Sequence, residues 1–304
     1  MTAALLPPRD FLPPGLLSPI GDDAVQYQLA DVQAELSALR TEVEALRSRD
    51  RTINFHMQRL DDELRLAARL QQDFLPKSLP EVGAIRFHAL FRPAGYVSGD
   101  LYDVMRLDET HVGFYIADAV GHGMPAALLT MFLKNALFTK EITPTGYRLL
   151  TPAQTMARLN DALVSQNLSN GTFATALYGL IDTQSGTVCF ARGGHPSPII
   201  LRADGSIEIP EIEGCLLGIF ANESFADCSF KLAPGDRLFV FTDGIEVIFG
   251  GEKIIDSQQW GTQLQRLRHL PTAALLEHFS NQIEHSTGSL APKDDLTIIV
   301  AEMG

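Results

Sequence analysis

The chain is short of cysteine and of basic residues. Its 304 residues include three cysteines, Cys189, Cys215 and Cys228, and no C-x-x-C pair. That excludes a disulfide framework and a thiolate metal site and fits a reducing compartment; the three are expected as unpaired, semi-buried small apolar residues. Lys and Arg number 24 against 37 Asp and Glu, a formal net charge of −13. A surplus of that sign repels phosphate backbones and anionic lipid, so neither nucleic acid nor a membrane surface is an expected partner. The surplus carboxylates are available to hold hard cations instead. A long unbroken apolar run is also missing. The most apolar stretch, residues 112–133, carries Asp118, His122, three glycines and Pro125, which a bilayer core would penalise heavily. The N-terminus lacks the basic, apolar and small-residue order of a signal peptide. The expected location is the cytoplasm.

What is present suits a globular protein. With 45% hydrophobic and 20% charged residues, the chain is neither collagen-like nor wholly disordered, and it is long enough to bury a sizeable core. Residues 1–22 carry five prolines and no helical or strand period, which reads as a flexible leader. From Val25 the pattern changes. Apolar residues fall at Val25, Leu29, Val32, Leu36, Leu39, Val43 and Leu46, then at Ile53, Met57, Leu60, Leu64 and Ala67, with Asp50 as the misfit on the seam. The alternating spacing of four and three predicts a helix over 23–76, ended by Pro76 and Pro80. Such a narrow stripe cannot bury itself, and a parallel coiled-coil homodimer is the expected solution. The alternative is a helix folded back on its own domain, but at 1.5 Å per residue this stripe outruns one domain's width. Asp50, between Arg49 and Arg51, is either a hinge or a tolerated defect.

Residues 77–304 read as a single α+β domain. Strands are predicted over 85–91, 112–117, 175–181, 187–191, 197–201, 237–242 and 296–301, with turns at 182–186 and 203–205. Helices are predicted over 125–140, 152–166, 258–269 and 271–285. The elements are grouped rather than strictly alternating, which favours mainly antiparallel sheets with packed helices.

The informative feature is the placing of certain aspartates. One apolar strand runs straight into Asp118 and another into Asp243, while Asp294 and Asp295 stand immediately before a third. Asp100 and Asp103 lie in Ser98-Gly-Asp-Leu-Tyr-Asp103. A carboxylate at a strand edge is half-desolvated and needs a partner. Taken singly, each is an ordinary turn or cap aspartate. Together they outnumber the nearby basic residues, which points to a shared cation site, and oxygen donors suit Mg²⁺ or Mn²⁺. Four carboxylates carry about the charge that two divalent ions neutralise. The segment Ala117-Asp-Ala-Val-Gly-His-Gly123 turns from strand to helix, and its His122 either orients that turn or serves as ligand or proton donor. Gly193-Gly-His195 reads as a structural turn.

Six segments occur in a telling order: Ala68-Arg-Leu-Gln-Gln-Asp-Phe-Leu-Pro76, Ser98-Gly-Asp-Leu-Tyr-Asp103, Ala117-Asp-Ala-Val-Gly-His-Gly123, Gly193-Gly-His195, Phe241-Thr-Asp-Gly244 and Asp294-Asp-Leu-Thr297. Over residues 65–304 the chain resembles the PP2C-type (PPM) serine/threonine phosphatases of the stage-two-sporulation-E / sigma-B-regulator branch. The resemblance implies an αββα sandwich of two antiparallel sheets flanked by helices. It implies two ions, Mn²⁺ or Mg²⁺. Asp118 would bridge them, the Ala119 carbonyl would bind one, Asp243 and Asp294 would be direct ligands, and Asp100 would hold metal-bound water. Asp103, Asp295 and Glu246 receive no role, and Arg92 is either a phosphate-gripping residue or a salt-bridge partner.

The activity so implied is hydrolysis of phosphoserine or phosphothreonine by metal-activated water. The implied substrate is a STAS-type anti-anti-sigma protein in a partner-switching pathway, with an upstream partner acting on the coiled coil. A catalytically silent phosphatase fold that binds a phosphoprotein, or serves as a coiled-coil scaffold, is the competing reading. A hydrolase for small phosphoesters is a third, and no base or sugar motif supports it.

Overall fold

The computed structural model describes residues 22–144, 146–168, 171–249, 257–287 and 294–304. The expected leader lies outside them, apart from Asp22. The chain divides into two units, residues 1–63 and 64–304. In the first, the described residues belong to helix α1 (Asp22–Phe74), whose backbone continues through Asp50 without a break. Its stripe residues Leu29, Val32, Leu36, Leu39 and Val43 are all exposed in the single chain.

The second unit is built on two five-stranded sheets. One has the order β1 (Ile85–Arg92), β12 (Leu296–Met303), β11 (Arg237–Phe241), β8 (Ile199–Leu201), β9 (Ile207–Glu208). The other runs β10 (Cys228–Lys231), β7 (Thr187–Gly193), β6 (Ala174–Asp182), β3 (His111–Ala119), β2 (Asp100–Arg106). Every ladder between these strands is antiparallel. Alternation along the strands makes three apolar layers. Val112, Phe114 and Ile116 of β3 meet Leu238 and Val240 of β11 and Ile299 of β12 between the sheets. On the outer side of the second sheet, Tyr115 and Ala117 pack with α2 (Met124–Ala136) and α3 (Pro152–Ser165). On the outer side of the first, Phe239, Phe241 and Val300 pack with α4 (Ser257–Arg266) and α5 (Thr272–Thr287). This is the expected αββα sandwich.

All seven predicted strands and all four predicted helices are present. The helix predicted over 125–140 ends early, at Ala136, because Leu137 is extended (φ −74°, ψ 104°). Lys140 instead opens a hairpin of β4 (Lys140–Thr143) and β5 (Gly146–Leu149). Three strands of the two sheets were not expected: β2, whose charged ends hide its alternation, and the short edge strands β9 and β10. The three cysteines are unpaired and partly buried. No helix among the described residues is long and apolar enough to cross a membrane.

Candidate metal centre

Period-two alternation decides which side chains reach the end of the layer between the sheets. Asp118 continues the face of β3 that carries Val112, Phe114 and Ile116, and Asp100 continues the face of β2 that carries Tyr102 and Val104. The register sets Asp100 directly opposite Asp118. Like charges in that position destabilise a sheet. From the other sheet, Thr242 continues the face of Leu238 and Val240, and Thr297 shares the face of Ile299 and Ala301. Both hydroxyls donate to Asp100 Oδ2, at 2.8 and 2.6 Å. The Thr242 hydroxyl also accepts from the Thr297 N–H at 2.9 Å. Asp100 is fully buried, and burial with the facing Asp118 raises its pKa well above the usual carboxylate range, against the pull of the two threonines.

Asp118 stands at the rim of this layer. Burial, then the charges of Asp243, Asp294 and Asp295, push its carboxyl up to about 8. Asp243 opens a 3-10 helix (Asp243–Phe249) directly after β11, and Asp294 lies just before β12. Both are solvent-facing yet sit in enough of a hollow for partial desolvation to raise them. Glu246 adds to the shift at Asp243, and Asp243 and Asp295 add to it at Asp294, where His122 offsets part of it. The four predicted carboxylates therefore share one end of the sandwich.

Ala119, the last residue of β3, is buried and donates its N–H to the Gly99 carbonyl at 3.0 Å. A Cβ on Gly99 would stand 3.2 Å from the Ala119 carbonyl oxygen and 3.2 Å from the Ala126 Cβ. A glycine there keeps the space at that carbonyl open. The turn that follows, with Gly121 at φ +90° and Gly123 at φ +75°, carries His122 to a cleft of about 370 Å³ lined by Tyr96, Val97, Met124, Asp294 and Asp295 among others. A larger hollow of about 820 Å³, beside β9 and α4, contains none of the predicted site residues.

The remaining candidates have other partners. Asp103 pairs with Lys134 at 2.6 Å, and the Lys134 ammonium also donates to the Phe74 carbonyl. Arg92 donates to Ser280 and lies 3.3 Å from Glu284 of α5. Gln71, near the end of α1, brackets Ser98 like a strand partner: its Nε2 donates to the Ser98 carbonyl (2.7 Å) and its Oε1 accepts from the Ser98 N–H (2.8 Å). Gln71, Thr242 and Thr297 were not singled out from the sequence. For the threonines the signal was available, since extending the strand alternation by one step turns both inward.

Among the described residues, no three His, Cys, Asp or Glu side chains are gathered into a ready cation cage. The donor set fits a hard divalent ion all the same. It consists of carboxylates and a backbone carbonyl, its charges are crowded enough to raise Asp118 far out of range, and ions such as Mg²⁺ keep several waters rather than demand a closed protein shell.

His195 is structural, as expected. It is fully buried, and its Nδ1 lies 2.9 Å from the Thr175 hydroxyl. Burial lowers its pKa to about 3, helped by the Arg192 guanidinium, which donates to the His195 carbonyl. The unfolded imidazole takes up a proton near pH 6.5 and the folded one only near pH 3. This site's contribution to stability is thus complete above about pH 6.5 and falls as pH drops towards 3, by roughly 3 kcal/mol at pH 4. Urea unfolding between pH 4 and 6 should show that slope in the wild type and a shallower one in His195→Gln; equal slopes would refute the assignment.

Comparisons with known proteins give the family and the fold. Residues 108–304 match the family described as stage II sporulation protein E (SpoIIE). Phosphoserine phosphatase RsbU of Bacillus subtilis is 29% identical, with 64% of this chain and 56% of that protein covered. Protein IcfG of Synechocystis is 27% identical, with 64% of this chain and 35% of that protein covered. The chain thus spans between about a third and just over half the length of these two relatives. Among solved structures, the SiaA-PP2C domain of Pseudomonas aeruginosa superposes with a TM-score of 0.66 at 23% identity, covering 82% of this chain and 98% of that one. With a match over well more than half of its length, and with the PP2C fold, the chain belongs to the SpoIIE family.

Proposed function

We propose that this chain is a metal-dependent protein serine/threonine phosphatase, acting in the cytoplasm on a phosphoserine or phosphothreonine of a STAS-type anti-anti-sigma protein in a partner-switching pathway. One observation carries the reading: Asp100 and Asp118 are set face to face at the sheet end, with the charges of Asp243 and Asp294 pressing on Asp118. That arrangement is costly to a bare chain, and a silent scaffold has no use for it. The name of the relative RsbU, a phosphoserine phosphatase, supports the same reaction class.

Two divalent ions, Mn²⁺ or Mg²⁺, bound here would supply Lewis acidity and make hydroxide available near neutral pH for in-line attack on phosphorus. The chain's own part is to hold and aim them. Asp118, Asp243, Asp294 and the Ala119 carbonyl would hold them, with Asp118 shared between the two. Asp100, fixed by Thr242 and Thr297, would hold metal-bound water. No cysteine or serine nucleophile is required. The test is release of inorganic phosphate from a phosphoserine-bearing STAS protein of the source organism. Release with Mn²⁺ and none with EDTA is the expected result; none in either condition, from folded protein and the right substrate, returns the scaffold reading.

The exposed stripe of α1 is proposed to pair with a second copy and to receive an upstream partner's signal. Leu36, Leu39 and Val43 are 50%, 51% and 43% exposed in the lone chain, and burying the remainder of each is worth about 1 kcal/mol, roughly half the value of full burial. The double substitution Leu36→Glu/Val43→Glu should weaken the dimer at least ~100-fold, read as a monomer by light scattering at micromolar concentration. An unchanged mass would sink the coiled-coil assignment.

A further inference from the structure

Two aspartates stand side by side at the start of β12, and they do different work. Resting on the phosphatase reading above, we propose that Asp295 is a positioning residue rather than a metal ligand: it clamps the 94–99 loop and, through Gly99, sets the place of Asp100.

Each oxygen of Asp295 is held by a short backbone hydrogen bond. Oδ1 accepts from the Ala94 N–H and Oδ2 from the Gly99 N–H, each at 2.6 Å. Those amides lie at opposite ends of the loop, so one carboxylate closes it. The alternation that turns Thr297 into the inter-sheet layer turns Asp295 the same way, and it is 7% exposed. Asp294, one residue earlier, faces solvent at the rim. A carboxylate bonded to two amides by charge-assisted bonds is a strong and directional tie. An amide side chain could not replace it, since Asn offers one acceptor and would turn its NH₂ towards the second N–H.

The clamp is passed on to Asp100 through bonds on every side of the Ser98–Asp100 backbone. The Gly99 carbonyl takes the Ala119 N–H, the Asp100 N–H donates to the Ser98 hydroxyl at 3.0 Å, and Thr242 and Thr297 fix Asp100 Oδ2. Releasing Gly99 therefore loosens the carboxylate proposed to hold metal-bound water and the strand end that carries Ala119. It removes no ligand. Displacing a positioning group by about 1 Å can cost ~100-fold in rate.

The experiment compares wild type, Asp295→Asn, Asp295→Ala and Asp294→Asn in three measurements. The first is amide hydrogen exchange without metal. Ala94 and Gly99 should be protected in the wild type; both should exchange at least ~10-fold faster in Asp295→Ala, and at least one of them in Asp295→Asn. The second is the number of Mn²⁺ ions bound per chain, expected to stay at the wild-type value in Asp295→Asn and to fall in Asp294→Asn. The third is p-nitrophenyl phosphate turnover at saturating Mn²⁺. There kcat should drop about 100-fold in Asp295→Asn with KM within about threefold.

Loss of a bound ion in Asp295→Asn would overturn the proposal, as would an unchanged kcat per folded chain or unprotected Ala94 and Gly99 amides in the wild type. Asp295→Asn keeps the shape of the side chain and carries the test if the alanine variant fails to fold. If the wild type proves inactive on every phosphoester, the phosphatase reading falls, while the exchange and the ion count still judge the clamp.

Discussion

Replacing Asp118 by asparagine is expected to abolish Mn²⁺-dependent phosphate release while making the metal-free protein more stable. The two effects share one cause. Asp118 is partly desolvated, faces Asp100 across the ladder and feels the charges of Asp243, Asp294 and Asp295, so the bare chain must either carry a strained charge there or hold a proton the unfolded chain would release. Asparagine keeps the shape and removes the charge. Relief on the order of 2 kcal/mol, discounted for solvent at the rim, corresponds to roughly 5 °C in Tm for a domain of this size. On the proposed assignment the same substitution would also remove the bridging ligand, and activity should fall on the order of 10³-fold, about 4 kcal/mol of transition-state stabilisation. Adding Mn²⁺ separates the two effects in one melting experiment. At 100 times its dissociation constant, an ion adds about 2.7 kcal/mol to the wild type and should add little to the variant. A variant that melts lower than the wild type without metal, or gains as much from Mn²⁺, would contradict the assignment.

The second large effect is expected at Gly244, where the cause is steric. A Cβ there would lie 1.8 Å from the Asp295 carbonyl oxygen and 3.3 Å from the Leu296 Cα. The obstacle is backbone, at the start of a strand paired on both sides with β1 and β11, so neither partner can give way cheaply. Gly244→Ala should cost about 2–4 kcal/mol of stability. The strain also pushes apart Asp243 and Asp294, which flank the contact, so Mn²⁺ should bind weakly even to the fraction that remains folded. Calorimetric melting and a Mn²⁺ titration check both. A wild-type melt with wild-type Mn²⁺ affinity would mean that the two backbones are not in the described contact.

Much of this was legible in the sequence for simple reasons. The strands that carry the site are apolar runs that end abruptly in a carboxylate, and a strand boundary of that kind is visible without a structure. The same patterning hid β2, because Asp100, Asp103 and Arg106 interrupt its apolar residues, and two of those charges are accounted for only by tertiary partners: Asp103 by Lys134 and Asp100 by two threonines. The overlong helix at 125–140 came from propensity continuing past Ala136, where the chain is instead drawn into the β4–β5 hairpin. Gln71 could not have been read at all, since its bonds to Ser98 join residues 27 apart in sequence. Asp294 and Asp295 look interchangeable as letters. Only the alternation of β12 separates the one facing solvent from the one turned inward.

The carboxylates at this sheet end are proposed to hold a pair of divalent ions. Isothermal titration of Mn²⁺ into the metal-free chain and into Asp118→Asn is the decisive measurement. Two ions per wild-type chain, with loss of that binding in the folded variant, are expected. No binding by the folded wild type, or the same number of ions with the same affinity in Asp118→Asn, rules out such a pair of ions at this sheet end.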